Sequence, residues 1–166
     1  AKFYASHALS LASTVPADVG LYFAGLQPSF DTRQLPASVG FLGQEQAAAN
    51  QQQWDVLKGQ LQVFTGLSFD SDVVPWLGSE SAFVMRLAPG DKLEGALLLA
   101  TKDQALAQAS LDRAIRHMGI SQNRAFDEAT FGALKARVAK PVEGNPLTPV
   151  LAVTPGALVL ASGPAV

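Results

Sequence analysis

The clearest pattern in the chain is a helical repeat of apolar residues over 44–66, with glutamines on the opposite face. The apolar positions, three and four residues apart or a multiple of these steps, are Ala47, Trp54, Leu57, Leu61 and Phe64. This spacing predicts the longest α-helix of the protein, with Gly66 as its C-terminal cap. A second helix is predicted over residues 103–118, because Asp103 is a favoured N-cap residue and Gly119 a favoured stop.

Apolar or alternating runs bounded by turn residues predict strands in much of the remaining chain. These runs occupy residues 20–26, 81–87, 94–101 and 130–139, and a further hairpin over 149–162. Turn residues at 88–92 join two of the strands into an antiparallel hairpin. A short helix is predicted over 5–13. Residues 27–43 hold two prolines and two glycines with no sustained period, so an irregular loop is predicted there.

The order of these elements predicts the fold class. Consecutive strands joined by short turns form antiparallel sheets, and helices then cover a face of the sheet. We therefore predict an α+β fold, with an antiparallel sheet of about five to six strands and helices packed mainly on one face. The 166 residues, 48% of them hydrophobic, are enough for one domain with its own core.

The end of the last predicted strand suggests that the domain is a fragment of a longer chain. The apolar residues 158–161 are followed by Ser162, a residue type that favours helix N-caps. An aliphatic strand of this kind is typical of a sheet covered on both faces. We therefore expect the natural protein to continue past residue 166 with a helix.

The composition excludes several classes of function. Twelve lysines and arginines against fourteen aspartates and glutamates give a net charge of −2, so no basic excess favours nucleic-acid binding. The absence of cysteine excludes disulfides, thiolate metal sites and thiol nucleophiles. The longest apolar runs are far shorter than the roughly 20 residues that span a bilayer. We therefore expect membrane contact only through an anchor outside this chain.

The sequence contains none of the common catalytic motifs. Gly-x-Ser-x-Gly, the phosphate-binding loop and the dinucleotide motif Gly-x-Gly-x-x-Gly are all absent. The two histidines, His7 and His117, are not spaced as zinc ligands, and His117 is placed where a helix C-terminus favours a cation. We predict no catalytic residue and no cofactor.

The best candidates for a metal site are Asp70, Asp72 and Glu80. Two aspartates two residues apart can supply oxygens to a hard cation such as calcium. Val74 and Trp76, however, stand where a calcium loop would need oxygen ligands. The alternative, which we prefer, is that one aspartate caps the turn that follows.

Three aromatic residues, Trp54, Phe64 and Trp76, are candidates either for an apolar-ligand surface or for core packing. A Trp-Leu pair just ahead of a strand is well placed to close one end of a sheet against a helix. We predict that Trp76 is more than half buried against the 44–66 helix or its end.

Five short segments form a set of landmarks along the chain: 15–18 (VPAD), 21–23 (LYF), 66–80 with its PWLGSE end, 149–153 (PVLAV) and 158–162 (LVLAS). This set resembles an uncharacterised bacterial family, the domain of unknown function 3352. Members of that family are typically longer proteins with an N-terminal membrane anchor or signal. The resemblance implies an extracytoplasmic or membrane-anchored location in a bacterium and supports the element order, but it transfers no catalytic residue.

From these observations we expect a non-enzymatic envelope domain with a structural or partner-binding role. Its partner would be another protein or a second copy of the chain, and a cytoplasmic location is the alternative. Two other functions stay open. One is a divalent-cation-dependent hydrolase that uses the three carboxylates, and the other is a small apolar-ligand-binding domain whose pocket is lined by the three aromatic residues.

Overall fold

The computed structural model describes residues 11, 21–26, 44–88, 92–142 and 148–163 of the chain. The helices are α1, Gln44–Thr65, and α2, Gln104–Ser121, with a short π-helical turn at Phe69–Val73 between them. The strands are β1 Leu21–Leu26, β2 Leu77–Ala88, β3 Lys92–Thr101, β4 Phe126–Phe131, β5 Leu134–Ala139, β6 Val150–Thr154 and β7 Ala157–Ala161. All seven form one antiparallel sheet in the order β1-β2-β3-β7-β6-β5-β4.

The predicted α+β class is confirmed, but the sheet has seven strands instead of five to six. The difference arises at residues 130–139, which the alternating pattern assigned to one strand. Gly132 has a φ of +60° there, and Phe131 pairs with Leu134 across it. Glycine therefore occupies the first position of a two-residue hairpin loop, where a positive φ favours it. The strand before this loop, β4, has the polar sequence FDEATF, which carries no strong strand signal.

The centre of the sheet is the pair β3 and β7, which joins the two halves of the domain. β3 forms a hairpin with β2, and β7 forms one with β6, as the sequence predicted. The two hairpins pair through β3 and β7, with Leu98 opposite Val159. The chain then reaches the far edge through α2, which packs against β6 on its way from β3 to β4.

Side chains alternate between the two faces of the sheet and form two separate apolar clusters. On the face that α2 covers, which we call the helix face, the cluster includes Trp76, Ala107, Leu111, Val153 and Leu158. The opposite face is built largely from small residues, and we call it the alanine face. Its alanines are Ala82, Ala96, Ala136, Ala152, Ala157 and Ala161.

Several predicted segments lie outside the described residues. These are the 27–43 loop, the 5–13 helix apart from Leu11, the inner residues 89–91 of the predicted 88–92 turn, and residues 164–166. Within the described part of the chain, neither helix has both the length and the hydropathy needed to cross a bilayer.

Candidate functional site

Asp72, the first of the predicted metal-site residues, is fully engaged within the protein. Its carboxylate accepts the backbone N–H of Ser68 at 2.9 Å and faces the guanidinium of Arg113 at 2.6 Å. Its backbone carbonyl accepts both the indole N–H of Trp76 at 2.7 Å and the hydroxyl of Ser110 at 2.8 Å. Asp72 therefore ties the π-helical turn to α2 and to the indole of Trp76, just ahead of β2. Its carboxylate bonds back to Ser68 at the start of this turn, whereas the predicted cap was for the turn that follows.

The other two carboxylates lie apart from each other. Asp70 is exposed and faces Lys58 of α1 at 3.4 Å. Glu80 is buried on the alanine face, where its carboxylate accepts the backbone N–H of Leu11 at 3.0 Å. Among the described residues, no three carboxylate, histidine or cysteine side chains come close enough to hold a metal ion.

Glu80 also affects the pKa of Tyr22, its neighbour on the alanine face. The Tyr22 hydroxyl is buried and makes no hydrogen bond to the described part of the chain. Burial raises the pKa of Tyr22 above its ordinary value of about 10, and the negative charge of Glu80 raises it further. Both effects favour the neutral, protonated form of the Tyr22 phenol.

The three predicted aromatic residues have three different environments. Trp76 is only 3% exposed and lies in the helix-face cluster, which Leu61 of α1 also contacts, so its predicted burial is confirmed. Trp54 meets the ring of Phe69 edge to face, with 5.0 Å between ring centroids. Phe64 is 58% exposed on α1. The three side chains therefore do not line one common pocket.

A cavity of about 470 Å³ lies between the C-terminal half of α1, α2 and the helix face of the sheet. We call it the helix–sheet groove. Its walls include Leu61, Trp76, Leu97, Ala114, Leu151 and Leu160. This volume lies within the range of about 300–1,000 Å³ that is typical of small-molecule sites.

The floor of the groove is open because the helices cover only part of the sheet. Leu97, Leu151 and Leu160 belong to the three central strands β3, β6 and β7, yet each is only half-buried. The same three leucines also line a second depression of about 440 Å³, which extends towards Phe83 and Met85 of β2. The apolar floor therefore continues from beneath α2 to the open half of the helix face.

Two side chains of α2 and its C-terminal extension fix the helical wall of the groove. A ring nitrogen, Nε2, of His117 lies 3.2 Å from the carbonyl oxygen of Val63, and the amide of Gln122 donates to the carbonyl of Phe64 at 2.7 Å. Both carbonyls are in the last turn of α1, where no intrahelical donor reaches them. Side chains from one helix thus satisfy the end of the other and hold the two together.

The polar groups of the groove are few, and most have a partner within the protein. The hydroxyl of Thr65 donates to the carbonyl of Leu61 at 2.6 Å, and Ser110 donates to Asp72 as described above. Arg124 is the one charged side chain among the described residues of the groove. It follows Asn123, whose φ is +50°, and its backbone N–H donates to the carbonyl of Met118 at 3.2 Å. This turn at the end of α2 brings Arg124 back to the groove.

Sequence reasoning identified Trp76 but missed Arg124 and the leucine floor. One signal for the floor was present. Each of the three strands β3, β6 and β7 places a leucine of the floor directly beside an alanine, so the two side chains point to opposite faces of the sheet. These leucines are Leu97, Leu151 and Leu160. When large aliphatic residues occupy every second position of a strand and alanines the positions between them, the two faces of the sheet can be distinguished from the sequence.

Comparison of the chain with protein-family models, curated proteins and solved structures finds no match. The resemblance to the domain of unknown function 3352 stays a prediction.

Proposed function

We propose that this chain is a non-enzymatic binding domain whose ligand is a small apolar molecule held in the helix–sheet groove. The observation that carries the proposal is the half-buried leucine floor formed by Leu97, Leu151 and Leu160 at the centre of the sheet. Central strands normally bury such residues completely. Binding of an apolar ligand in a cavity of this size is favourable, because the ligand displaces water from apolar surface.

The alternative of a cation-dependent hydrolase has less support. Asp72 is held by Arg113 and the backbone of Ser68, and Glu80 lies on the other face of the sheet. A hydrolytic site needs a metal or a base beside a place for substrate. The described residues of the groove include no carboxylate and no histidine that could hold a metal or act as a base, since Arg124 is the charged group there.

A partner-binding role is the second candidate, and the open half of the helix face favours it. Leu87 is 67% exposed, Leu93 64% and Phe83 42%, and all three lie on the hairpin of β2 and β3. Neighbouring exposed apolar side chains are typical of interaction surfaces. We propose that a protein partner or a second copy of the chain covers this surface. An extracytoplasmic or membrane-anchored location in a bacterium is part of the same proposal and is supported by the family resemblance.

Titration of the protein with N-phenylnaphthylamine, an uncharged fluorescent probe of apolar sites, tests the binding proposal. Leu97→Trp places extra bulk in the groove and is expected to weaken binding by about tenfold or more, a loss of about 1.4 kcal/mol. Leu106→Trp is the matched control, because Leu106 is exposed on α2 and does not line the groove. Thermal unfolding of both variants checks that each one folds. Absence of probe binding, or equal binding by the two variants, would contradict the proposal.

A further inference from the structure

We propose that a second binding site, for a small monoanionic carboxylate that also carries hydroxyl groups, lies between α2 and the outer strands β4 and β5. The site is a cavity of about 330 Å³ on the helix face, which we call the outer cavity. Residues of α2, β4, β5 and β6 line it, and its wall is more polar than apolar. This site goes beyond the proposed function, because it is distinct from the helix–sheet groove and takes a ligand of different chemistry.

The outer cavity and the floor of the helix–sheet groove extend in opposite directions from β6. Helix α2 packs against β6, whose neighbours in the sheet are β7 on one side and β5 on the other. The floor of the groove reaches β7 and β3, whereas the outer cavity reaches β5 and β4. Leu111 of α2 and Leu151 of β6 line both cavities, so the wall that they share is apolar. The two cavities can therefore hold separate ligands.

The register of β4 with β5 sets the polar wall of the outer cavity. Glu128 lies directly opposite Arg137, and Thr130 lies directly opposite Lys135. Arg137 in turn lies opposite Leu151 of β6, which is on the helix face. Residues two apart in a strand point to the same face, so all four polar side chains share the helix face with Leu151. They form a polar patch beside the first half of α2.

The charges of this patch select a monoanion. The carboxylate of Glu128 is paired with the guanidinium of Arg137, so these two charges offset each other. Lys135 makes no ion pair within the described part of the chain. Its exposed and flexible side chain can bring the ammonium to an anion in the cavity. The patch thus carries one net positive charge, and a dianion such as a phosphate monoester would meet Glu128 as a repulsive neighbour.

The remaining lining groups select hydroxyl groups and a small size. The hydroxyl of Thr130 can both donate and accept a hydrogen bond. The side-chain nitrogen of Gln108 donates to the carboxylate of Asp112 at 3.1 Å, which leaves the amide oxygen of Gln108 as an acceptor. At about 30 Å³ for each water of the liquid, the cavity has room for about ten non-hydrogen atoms. A sugar acid combines this size with one carboxylate and several hydroxyl groups.

Titration followed through the backbone amide NMR resonances tests the inference, because it locates the site and measures the affinity together. The probes are D-glucuronate and its neutral analogue D-glucose. Glucuronate should shift the resonances of β4, β5 and the first half of α2. It should bind about tenfold more tightly than glucose, as one charge-assisted hydrogen bond allows. Added salt should weaken the binding of glucuronate and leave that of glucose unchanged. Glucose 6-phosphate, a dianion, should bind no more tightly than glucuronate.

Lys135→Gln should reduce the affinity for glucuronate to that for glucose, whereas Lys140→Gln should leave it unchanged. Lys140 is the matched control, because it pairs with Asp127 and does not line the outer cavity. Lys135→Arg keeps the charge and should keep most of the affinity.

Equal affinities of the wild-type protein for glucuronate and glucose, or equal losses in the two glutamine variants, would overturn the inference. Absence of resonance shifts, shifts confined to another part of the molecule, or tighter binding of glucose 6-phosphate would overturn it as well. Each of these results would leave the proposed function standing, because the uncharged fluorescent probe tests the helix–sheet groove separately.

Discussion

Arg113 of α2 forms an ion pair with Asp72 of the π-helical turn, with 2.6 Å between Nη1 and Oδ1. The two residues are 41 positions apart in the chain, so the contact ties the second helix to the segment that precedes β2. The other carboxylate oxygen of Asp72 accepts the N–H of Ser68 at the start of the same turn. An aspartate that looks like a metal ligand in the sequence therefore organises the packing of the helix face.

This relationship predicts unequal effects of substitution at the two neighbouring aspartates. Asp72→Ala leaves the partly buried N–H of Ser68 without its acceptor and should lower the free energy of unfolding by about 1–3 kcal/mol. Asp70→Ala is the matched control, because Asp70 is exposed and its pairing with Lys58 is a surface contact. It should change stability by no more than about 0.5 kcal/mol. Urea unfolding of both variants measures the difference, and equal losses would contradict this view of Asp72.

The burial of Trp76 predicts a large loss of stability on truncation. Trp76→Ala removes a nearly inaccessible indole from the helix-face cluster, together with its hydrogen bond to the carbonyl of Asp72. The expected loss is about 3–5 kcal/mol, as for other buried aromatic residues. Phe64→Ala, on the exposed side of α1, should cost no more than about 0.5 kcal/mol. An unchanged melting temperature for the Trp76 variant would show that the indole is not part of the core.

Alanine substitutions at Gly59, inside α1, and at Gly66, just past its C-terminal end, should change the stability of the protein in opposite directions. Gly66 has a φ of +69°, and a Cβ there would lie 2.7 Å from the imidazole of His117, so Gly66→Ala should destabilise by at least about 1–2 kcal/mol. Gly59 lies inside the helix with no atom within 4 Å of an added Cβ. Gly59→Ala should therefore stabilise by about 0.5–1 kcal/mol. Thermal or urea unfolding of the pair measures both signs, and a stabilised Gly66 variant would contradict the capping geometry.

Most of the fold could be predicted because the hairpins and helices have local signals. The segment 149–162 places turn residues between two apolar runs, and Asp103 accepts the N–H of Leu106 as an N-cap should. The seventh strand was missed because β4 is polar and lies at an edge, where few apolar residues are needed. The turn between β4 and β5 also lies inside residues 130–139, where apolar and polar residues alternate as in a single strand. This alternation gave no sign of the turn at Gly132, which has a positive φ.

The groove was harder to predict than the fold, because it depends on how far α2 extends over the sheet. Leu97, Leu151 and Leu160 come from three strands that are adjacent only through the pairing of β3 with β7 and of β7 with β6. No local sequence pattern predicts the pairing of β3 with β7. Arg124 returns to the groove through the single residue Asn123 with positive φ, a conformation that composition does not reveal.

The raised pKa of Tyr22 predicts a specific loss of stability at alkaline pH. The unfolded chain releases the phenolic proton near pH 10, whereas the folded protein holds it to higher pH. The stabilisation is therefore complete below about pH 10 and decreases as the pH rises through the folded-state pKa. Tyr22→Phe removes this group, so urea unfolding at pH 8 and pH 11 should show a smaller loss in the variant than in the wild type. Any contribution from Tyr4 is the same in both proteins and cancels in the comparison. Equal losses in the two proteins would show that burial and Glu80 do not act on Tyr22 as proposed.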